Sequence, residues 1–383
     1  MTSNSFALRD ARLVLRDRVI ENGWIVVEGG RIAEIGDGDG PRGATSIDGD
    51  TVIPGLVELH TDHLETHIEP RPKVRWDALP AVLAYDVQIA GAGITTVFDC
   101  LRVGTDGDNP NPDLKPLFAV ADALRRGGDM GILRVEHHAH LRCEVCSPNV
   151  LNSAQAMIER FSIGILSIMD HTPGQRQFRD KTKLEYYYRG KLGMGEEELR
   201  KFFAERISLH ERYAVPHRQA LIALTRSNGI TLASHDDTTV AHVEESLAAG
   251  ARIAEFPTTI EAAQASHAAG VSVMMGAPNI MLGGSHSGNV AAEELARAGV
   301  LDILSSDYVP TSLLQAALSL PQRVPDLTLA DAIATVTATP AQAVGLTDRG
   351  SLTEGLRADI LRLSLVEDIA VVREVYREGR RVI

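Results

Sequence analysis

The sequence predicts an α/β protein: a (β/α)8 barrel of the TIM type with a small β-sandwich domain formed from both termini. Three observations point there. Short apolar runs alternate with longer stretches of helical period through the middle of the chain, the signature of repeated βα units and a parallel sheet. Eight such runs can be counted, over a span of about 250 residues that is usual for this barrel. Both ends instead read as short β-like runs broken by Gly-rich turns, of which Gly36-Asp37-Gly38-Asp39-Gly40 is the clearest.

The runs cover 52–59, 94–98, 132–135, 163–169, 230–233, 252–256, 271–275 and 302–304. Polar residues follow each run and then a helical pattern, for example over 78–90, 239–249, 260–269 and 290–298. Between the fourth and fifth runs the spacing is far longer than elsewhere and carries a charged segment, 176–189, and an amphipathic stretch, 196–213. The expected division is therefore 1–51 with 345–383 for the sandwich, and 52–344 for the barrel with an insertion at about 174–220. An insertion on that face either shapes an active site or is a decorative helical hairpin.

Composition excludes several classes. The chain has 383 residues, with 38 Lys+Arg against 51 Asp+Glu and a formal net charge of −13. It lacks the broad cationic footprint that nucleic-acid binding needs, so no nucleic-acid partner is expected. No apolar stretch approaches the ~18 residues of a membrane span, and no cationic-then-apolar leader follows Met1, so neither a membrane partner nor export is expected. Three cysteines, Cys100, Cys143 and Cys146, are too few for a disulfide framework and agree with a cytoplasmic location.

In a barrel, function is sought just past the C-terminal ends of the strands. There the sequence places His60 and Asp62, Asp99, Glu144, Asp170 and His171, His235, Asp236 and Asp237, and Asp307. Imidazole and carboxylate groups recurring at these ends form a ring of metal-type ligands, suited to a divalent ion such as zinc and numerous enough for one or two ions. Along a strand His60 and Asp62 share a face, so both can point into one cavity. His63 and His67 lack the glutamate order of a zinc protease, and Cys143 and Cys146 read as incidental thiols. Among His137, His138 and His140, we take His140 as a substrate contact. Gly283-Gly284-Ser285-His286-Ser287-Gly288 is either a phosphate-cradling loop or a flexible βα turn. Arg71, Lys73, Arg75, Arg102, Arg142, Arg176, Arg179, Lys181, Lys183 and Arg189 collect on the same rim. In so acidic a chain they point to a multiply charged phosphate ligand, the bland alternative being a solvated loop balanced by nearby acids.

These residues resemble the amidohydrolase superfamily. The marks are Val52-Ile53-Pro54-Gly55-Leu56-Val57-Glu58-Leu59-His60, the strand-end set, and the closing Gly350-Ser351-Leu352 to Arg357-Ala358-Asp359-Ile360. His60-Thr61-Asp62 stands where most members carry His-x-His. That departure, with Met169-Asp170-His171-Thr172-Pro173-Gly174-Gln175-Arg176-Gln177 and Ser306-Asp307-Tyr308-Val309-Pro310, is similar to the branch of ribose 1-methylphosphonate 5-triphosphate diphosphatases of phosphonate metabolism. The resemblance implies a metal-dependent hydrolase that converts a ribose 5-triphosphate to the 5-phosphate and pyrophosphate. By position, His60 and Asp62 would hold one metal and His171 and His235 the other, with Glu144 bridging; Asp307 would be both ligand and catalytic base. Arg176 would hold the phosphates, with Arg142, Lys181 and Lys183 as further contacts. Many barrels of this kind associate, so a homo-oligomer is among the expectations. The rival readings are a cyclic-amide hydrolase or sugar-amide deacetylase on the same barrel, and a non-catalytic scaffold that binds a partner.

Overall fold

A computed structural model describes residues 4–104, 112–176, 195–285 and 288–383. The first five strands, β1 (Phe6–Val14), β2 (Val19–Glu28), β3 (Arg31–Asp37), β4 (Thr45–Ser46) and β5 (Thr51–Pro54), join the last three in one sheet. Those are β14 (Ile360–Val366), β15 (Ile369–Arg377) and β16 (Arg380–Arg381). The path runs β16-β15-β14-β5-β1-β2-β3, with β4 beside β1. An isolated antiparallel bridge joins Arg31 at the start of β3 to Arg357, just before β14, over a core of Leu8, Leu13, Ile25, Val27, Ile32, Val52 and Ile360.

The eight barrel strands are all parallel and in sequence order. They are β6 (Leu56–Thr61), β7 (Ile94–Val103), β8 (Glu136–Glu144), β9 (Ile163–Met169), β10 (Thr231–His235), β11 (Ile253–Glu255), β12 (Ser272–Gly276) and β13 (Ile303–Ser305). The last meets the first through a bridge between Thr61 and Asp307, where Asp62 N–H donates to the Asp307 carbonyl (2.9 Å) and Asp307 N–H to that of His60 (3.1 Å). Val57, Leu59, Phe98, Ile165, Ala233, Ile253, Met274 and Ile303 fill the interior, so the barrel is packed beneath its mouth.

Helices cover the outside: α1 (Leu64–Ile68), α2 (Ala78–Gly91), α3 (Lys115–Asp129), α4 (Val150–Arg160), α5 (Glu196–Asn228), α6 (Val240–Ala249), α7 (Ile260–Ala268), α8 (Ala277–Leu282), α9 (Ala292–Arg297), α10 (Ser312–Arg323), α11 (Leu329–Ala334) and α12 (Ala338–Ala343). A threonine hydroxyl caps three of them, Thr239, Thr259 and Thr328 each accepting a backbone N–H from the first turn. The long connection after the fourth barrel strand contains α5, which packs on α4, β9 and β10. No helix among the described residues is long and apolar enough to cross a membrane.

Two expectations need correction. The first apolar run is two strands, one in each sheet, because the chain passes between sheets at Gly55. A Cβ there would stand 2.4 Å from the Thr95 hydroxyl, so only glycine allows the approach. The third run, 132–135, is no strand; β8 begins at Glu136 and reads Glu-His-His-Ala-His-Leu-Arg-Cys-Glu. Its polar side chains are paired within the fold, so an apolar-run criterion overlooks it.

The foot of β8 ties the two sheets together. Glu136 accepts from Arg349 Nη1 (2.9 Å), from Arg357 and from His138 Nε2 (3.0 Å). Burial opposes its charge, but the His138 hydrogen bond and Arg357 outweigh it and hold the carboxyl well below the usual range. Glu136→Ala should cost about 2–3 kcal/mol, less than a fully buried pair because 30% of this side chain faces water. A thermal midpoint equal to wild type would contradict this. Since the folded pKa lies below the unfolded one, the contribution is present at neutral pH and is lost as pH falls below 4.5. The gap between wild type and variant should therefore narrow in acid.

Candidate active site

The barrel mouth opens into a cavity of about 480 Å3 lined by His60, Asp62, Arg142, His171, His235, Asp236 and Asp307, with the loop residues Gly284 and Ser285 and the exposed Tyr308 at its edge. The ladder between β6 and β7 slips between Glu58 and Thr61, and His60 and Asp62 both face the cavity while the Thr61 hydroxyl turns back to the Asp307 carbonyl (2.9 Å).

The ligand-type atoms gather in two clusters. His60, Asp62 and Asp307 bring theirs within 4.8 Å of one another, and so do His171, His235 and Asp236. The clusters are neighbours, with the His60 and His235 rings stacked at 6.0 Å and the His171 and His235 rings 5.6 Å apart.

Buried carboxylates set the direction of every ring. Glu255, at the end of β11, lies 3.3 Å from His60 Nδ1 and 2.9 Å from His235 Nδ1 and accepts from the Ser167 hydroxyl at 2.7 Å. Glu144 Oε2 lies 2.6 Å from His171 Nδ1, and its Oε1 accepts the His171 backbone N–H at 3.1 Å. With Nδ1–H committed to a carboxylate, each imidazole offers Nε2 to the mouth, the arrangement that outer-shell acids impose on metal-ligating histidines. Burial works against the charge on Glu255, yet His140, His60 and the His235 hydrogen bond hold it well below the ordinary carboxylate range.

The donor set fits a divalent ion. His171 Nε2 and His235 Nε2 stand 3.8 and 3.6 Å from Asp236 Oδ2, too far for hydrogen bonds and suited to ligands that share an ion. That oxygen is buried and has no hydrogen-bond partner among the described residues. Asp236 and Asp307 both hold left-handed backbone, φ 57° and 53°, a conformation that costs of order 1–3 kcal/mol and gathers at functional sites. Asp307 is pushed upward by burial, with His60 opposing and Asp62 reinforcing the shift.

The other expected residues fall out differently. Glu144 is buried behind the His171 ring and does not line the cavity, so its carboxylate orients a ligand in this arrangement and spans no gap between the clusters. His140 is fully buried beneath the site, between the Leu59 carbonyl (2.8 Å) and Ser167, and does not line the cavity; burial lowers it to about 4. Arg176 is also interior. Its guanidinium is engaged by Asp237, the His235 carbonyl (3.2 Å) and Glu245 (3.2 Å), so it braces the end of β10 away from the cavity. Lys181 and Lys183, with Arg179 and Arg189, lie outside the described residues. Arg142 remains in place: it lines the cavity, and its Nη1 donates to both oxygens of Asp62 at 2.7 and 2.6 Å. Burial opposes the Asp62 charge, but Arg142 and His60 overcome it and bring that acid to about 2.

Of the strand-end acids, Asp99 faces outward to Tyr85 and His137, and Asp170 faces His210 on α5. Sequence reasoning missed Glu255 and Glu58. Glu58 accepts the backbone N–H groups of His60 (2.7 Å) and Ser306 (2.6 Å), and burial raises it to about 7. A charged residue inside an apolar strand run was the available signal for both.

The chain matches the amidohydrolase family over residues 80–383. It is 42% identical over 382 residues to the Alpha-D-ribose 1-methylphosphonate 5-triphosphate diphosphatase of Escherichia coli (strain K12), an alignment covering 98% of this chain and 99% of that one. It is 26% identical over 373 residues to the imidazolonepropionase of Deinococcus radiodurans, covering 90% and 86%. In fold it is similar to N-isopropylammelide isopropylaminohydrolase from Burkholderia multivorans, with TM-score 0.65 at 19% identity over 99% and 98% of the chains. N-acetyl-D-glucosamine-6-phosphate deacetylase from Mycobacterium smegmatis superposes with TM-score 0.63 at 17% identity over 99% and 100%. A family match across most of the chain, and a relative so similar from end to end, establish that this protein belongs to the amidohydrolase family.

Proposed function

We propose that this protein is a metal-dependent diphosphatase that hydrolyses α-D-ribose 1-methylphosphonate 5-triphosphate to the 5-phosphate and pyrophosphate in phosphonate catabolism. One observation carries the reading: a single cavity holds both ligand clusters and the partly exposed Arg142, in a chain 42% identical to a protein of that name. His60, Asp62 and Asp307 would hold one ion and His171, His235 and Asp236 the second, zinc being the choice because imidazole nitrogens supply half of the donors. Bound there, a divalent cation neutralises phosphoryl charge and lowers the pKa of water from 15.7 to about 7.

The chain's own residues do the rest. Asp307, held by the barrel-closing bridge, orients the attacking water and takes its proton. Attack falls on the phosphorus nearest the ribose; its bond to the bridging oxygen breaks, and pyrophosphate leaves with that oxygen. Phosphoryl transfer gathers charge on non-bridging oxygens, so catalysis rests on positioning and on cations aimed at them. Arg142 is the one arginine or lysine among the described lining residues, and we assign it that role. The Gly283-Gly284-Ser285 turn closes the preceding helix instead, Gly283 and Gly284 N–H donating to the Ile280 and Asn279 carbonyls (3.2 and 2.9 Å). Three unpaired, buried cysteines suit a reducing cytoplasm, where we place the reaction.

The direct test is incubation of metal-loaded protein with the ribose 5-triphosphate in oxygen-18 water. Label in the ribose 5-phosphate with release of pyrophosphate is expected; hydrolysis of cyclic or acetylated amides without pyrophosphate would overturn the assignment. Asp307→Asn should lower kcat by at least about 10²-fold; unaltered turnover would remove Asp307 from the catalytic step, and no turnover of any substrate by the wild type would point to a non-catalytic scaffold. Arg142→Met should lower kcat/KM by about 10²- to 10³-fold, with pyrophosphate inhibition weakened in parallel. Equal inhibition of variant and wild type would remove Arg142 from the phosphate site.

A further inference from the structure

A third group of ligand-type side chains lies outside the cavity, where the inserted helix meets the barrel. Cys146 follows β8, Asp170 follows β9 and His210 is on α5, three elements brought together only by the fold. Cys146 Sγ is 3.1 Å from Asp170 Oδ1 and 3.8 Å from His210 Nδ1, and His210 Nδ1 is 2.9 Å from Asp170 Oδ2. The Thr172 hydroxyl lies 2.8 Å from the same sulfur. Tetrahedral zinc with bonds of about 2.3 Å to sulfur and about 2.0–2.2 Å to nitrogen and oxygen separates its ligands by about 3.3–3.6 Å. The observed spacings, with the sulfur and the imidazole on different oxygens of Asp170, fall on both sides of that range within about half an ångström, and one ligand atom from each of the three residues lies within 4.8 Å of the others. Cys146 is fully buried and Asp170 nearly so, whereas the His210 side chain is 24% exposed and gives an entry path from solvent.

We propose that Cys146, Asp170 and His210 form a separate metal site for a thiophilic divalent cation of the zinc type, with Thr172 or a water in the fourth position. A thiolate among the ligands selects zinc over magnesium or manganese, which the carboxylate-rich mouth would also accept. Thiolate and carboxylate together carry two negative charges, so a divalent ion leaves the cluster neutral. The thiol releases its proton to solvent as the Sγ–metal bond forms. Arg218 Nη2 is 3.9 Å from Asp170 Oδ2, but Glu245 pairs with that guanidinium and offsets its charge. The ion clamps α5 onto the ends of β8 and β9. Because Asp170 precedes His171, the clamp also fixes the strand end that carries a cavity residue.

Titrating the full-length apoprotein with cobalt(II) tests this. We expect an equivalent of metal beyond those at the mouth and a near-ultraviolet thiolate-to-cobalt charge-transfer band. The band should persist in Cys100→Ser, although Cys100 approaches His60 and His140, and vanish in Cys146→Ser. No band in wild type, a band that survives Cys146→Ser, or one lost with Cys100→Ser would each overturn the proposal. Should Cys146→Ser misfold, His210→Gln keeps the thiol and must lose the extra equivalent of zinc by elemental analysis; retention of that equivalent would refute the site.

Discussion

The site depends on one buried carboxylate. Glu255 is wholly inside the barrel, and such a charge is stable only where it is paired and hydrogen-bonded. Its two oxygens meet His60, His140 and His235 and the Ser167 hydroxyl, so residues from four other positions along the chain must converge on it. The penalty for leaving this acid unpaired is what orients two cavity imidazoles, and the orientation frees Nε2 for a cation. Glu144 does the same for His171 from the other side of the mouth.

Backbone geometry then places the acids. Asp236 and Asp307 take left-handed conformations just past β10 and the last barrel strand. At Asp307 the strain is held by the bridge to Thr61 that brings the first and last strands together. Closure of the fold and placement of this cavity carboxylate are one set of hydrogen bonds. Asp236 Oδ2, which has no hydrogen-bond partner among the described residues, is the counterpart, an acceptor turned to the cavity.

Charge in this molecule is managed locally. A chain with net charge −13 repels polyphosphates over most of its surface, and the cavity sets Arg142 against that background. Arg142 is paired with Asp62, and Arg176, which also reads as a phosphate contact in the sequence, is consumed by Asp237 and Glu245. Arginines on one rim are alike in sequence. Burial and the nearest carboxylate decide which of them faces a ligand and which braces a strand.

The sequence by itself determined the barrel, the terminal sheet and the positions of the cavity imidazoles, because periodicity and strand ends are local properties of a chain. His60, Asp62, His171, His235 and Asp307 were legible because each follows an apolar run that becomes a strand. Glu255 and Glu58 were not, since nothing local distinguishes a buried acid with partners 195 or 248 residues away from an exposed one. Strand β8 was hidden for the same reason: its polar side chains are satisfied only by neighbours from other elements. Tertiary structure decided which charges meet, because the energy of a buried charge is set by its surroundings in space and not by its neighbours along the chain.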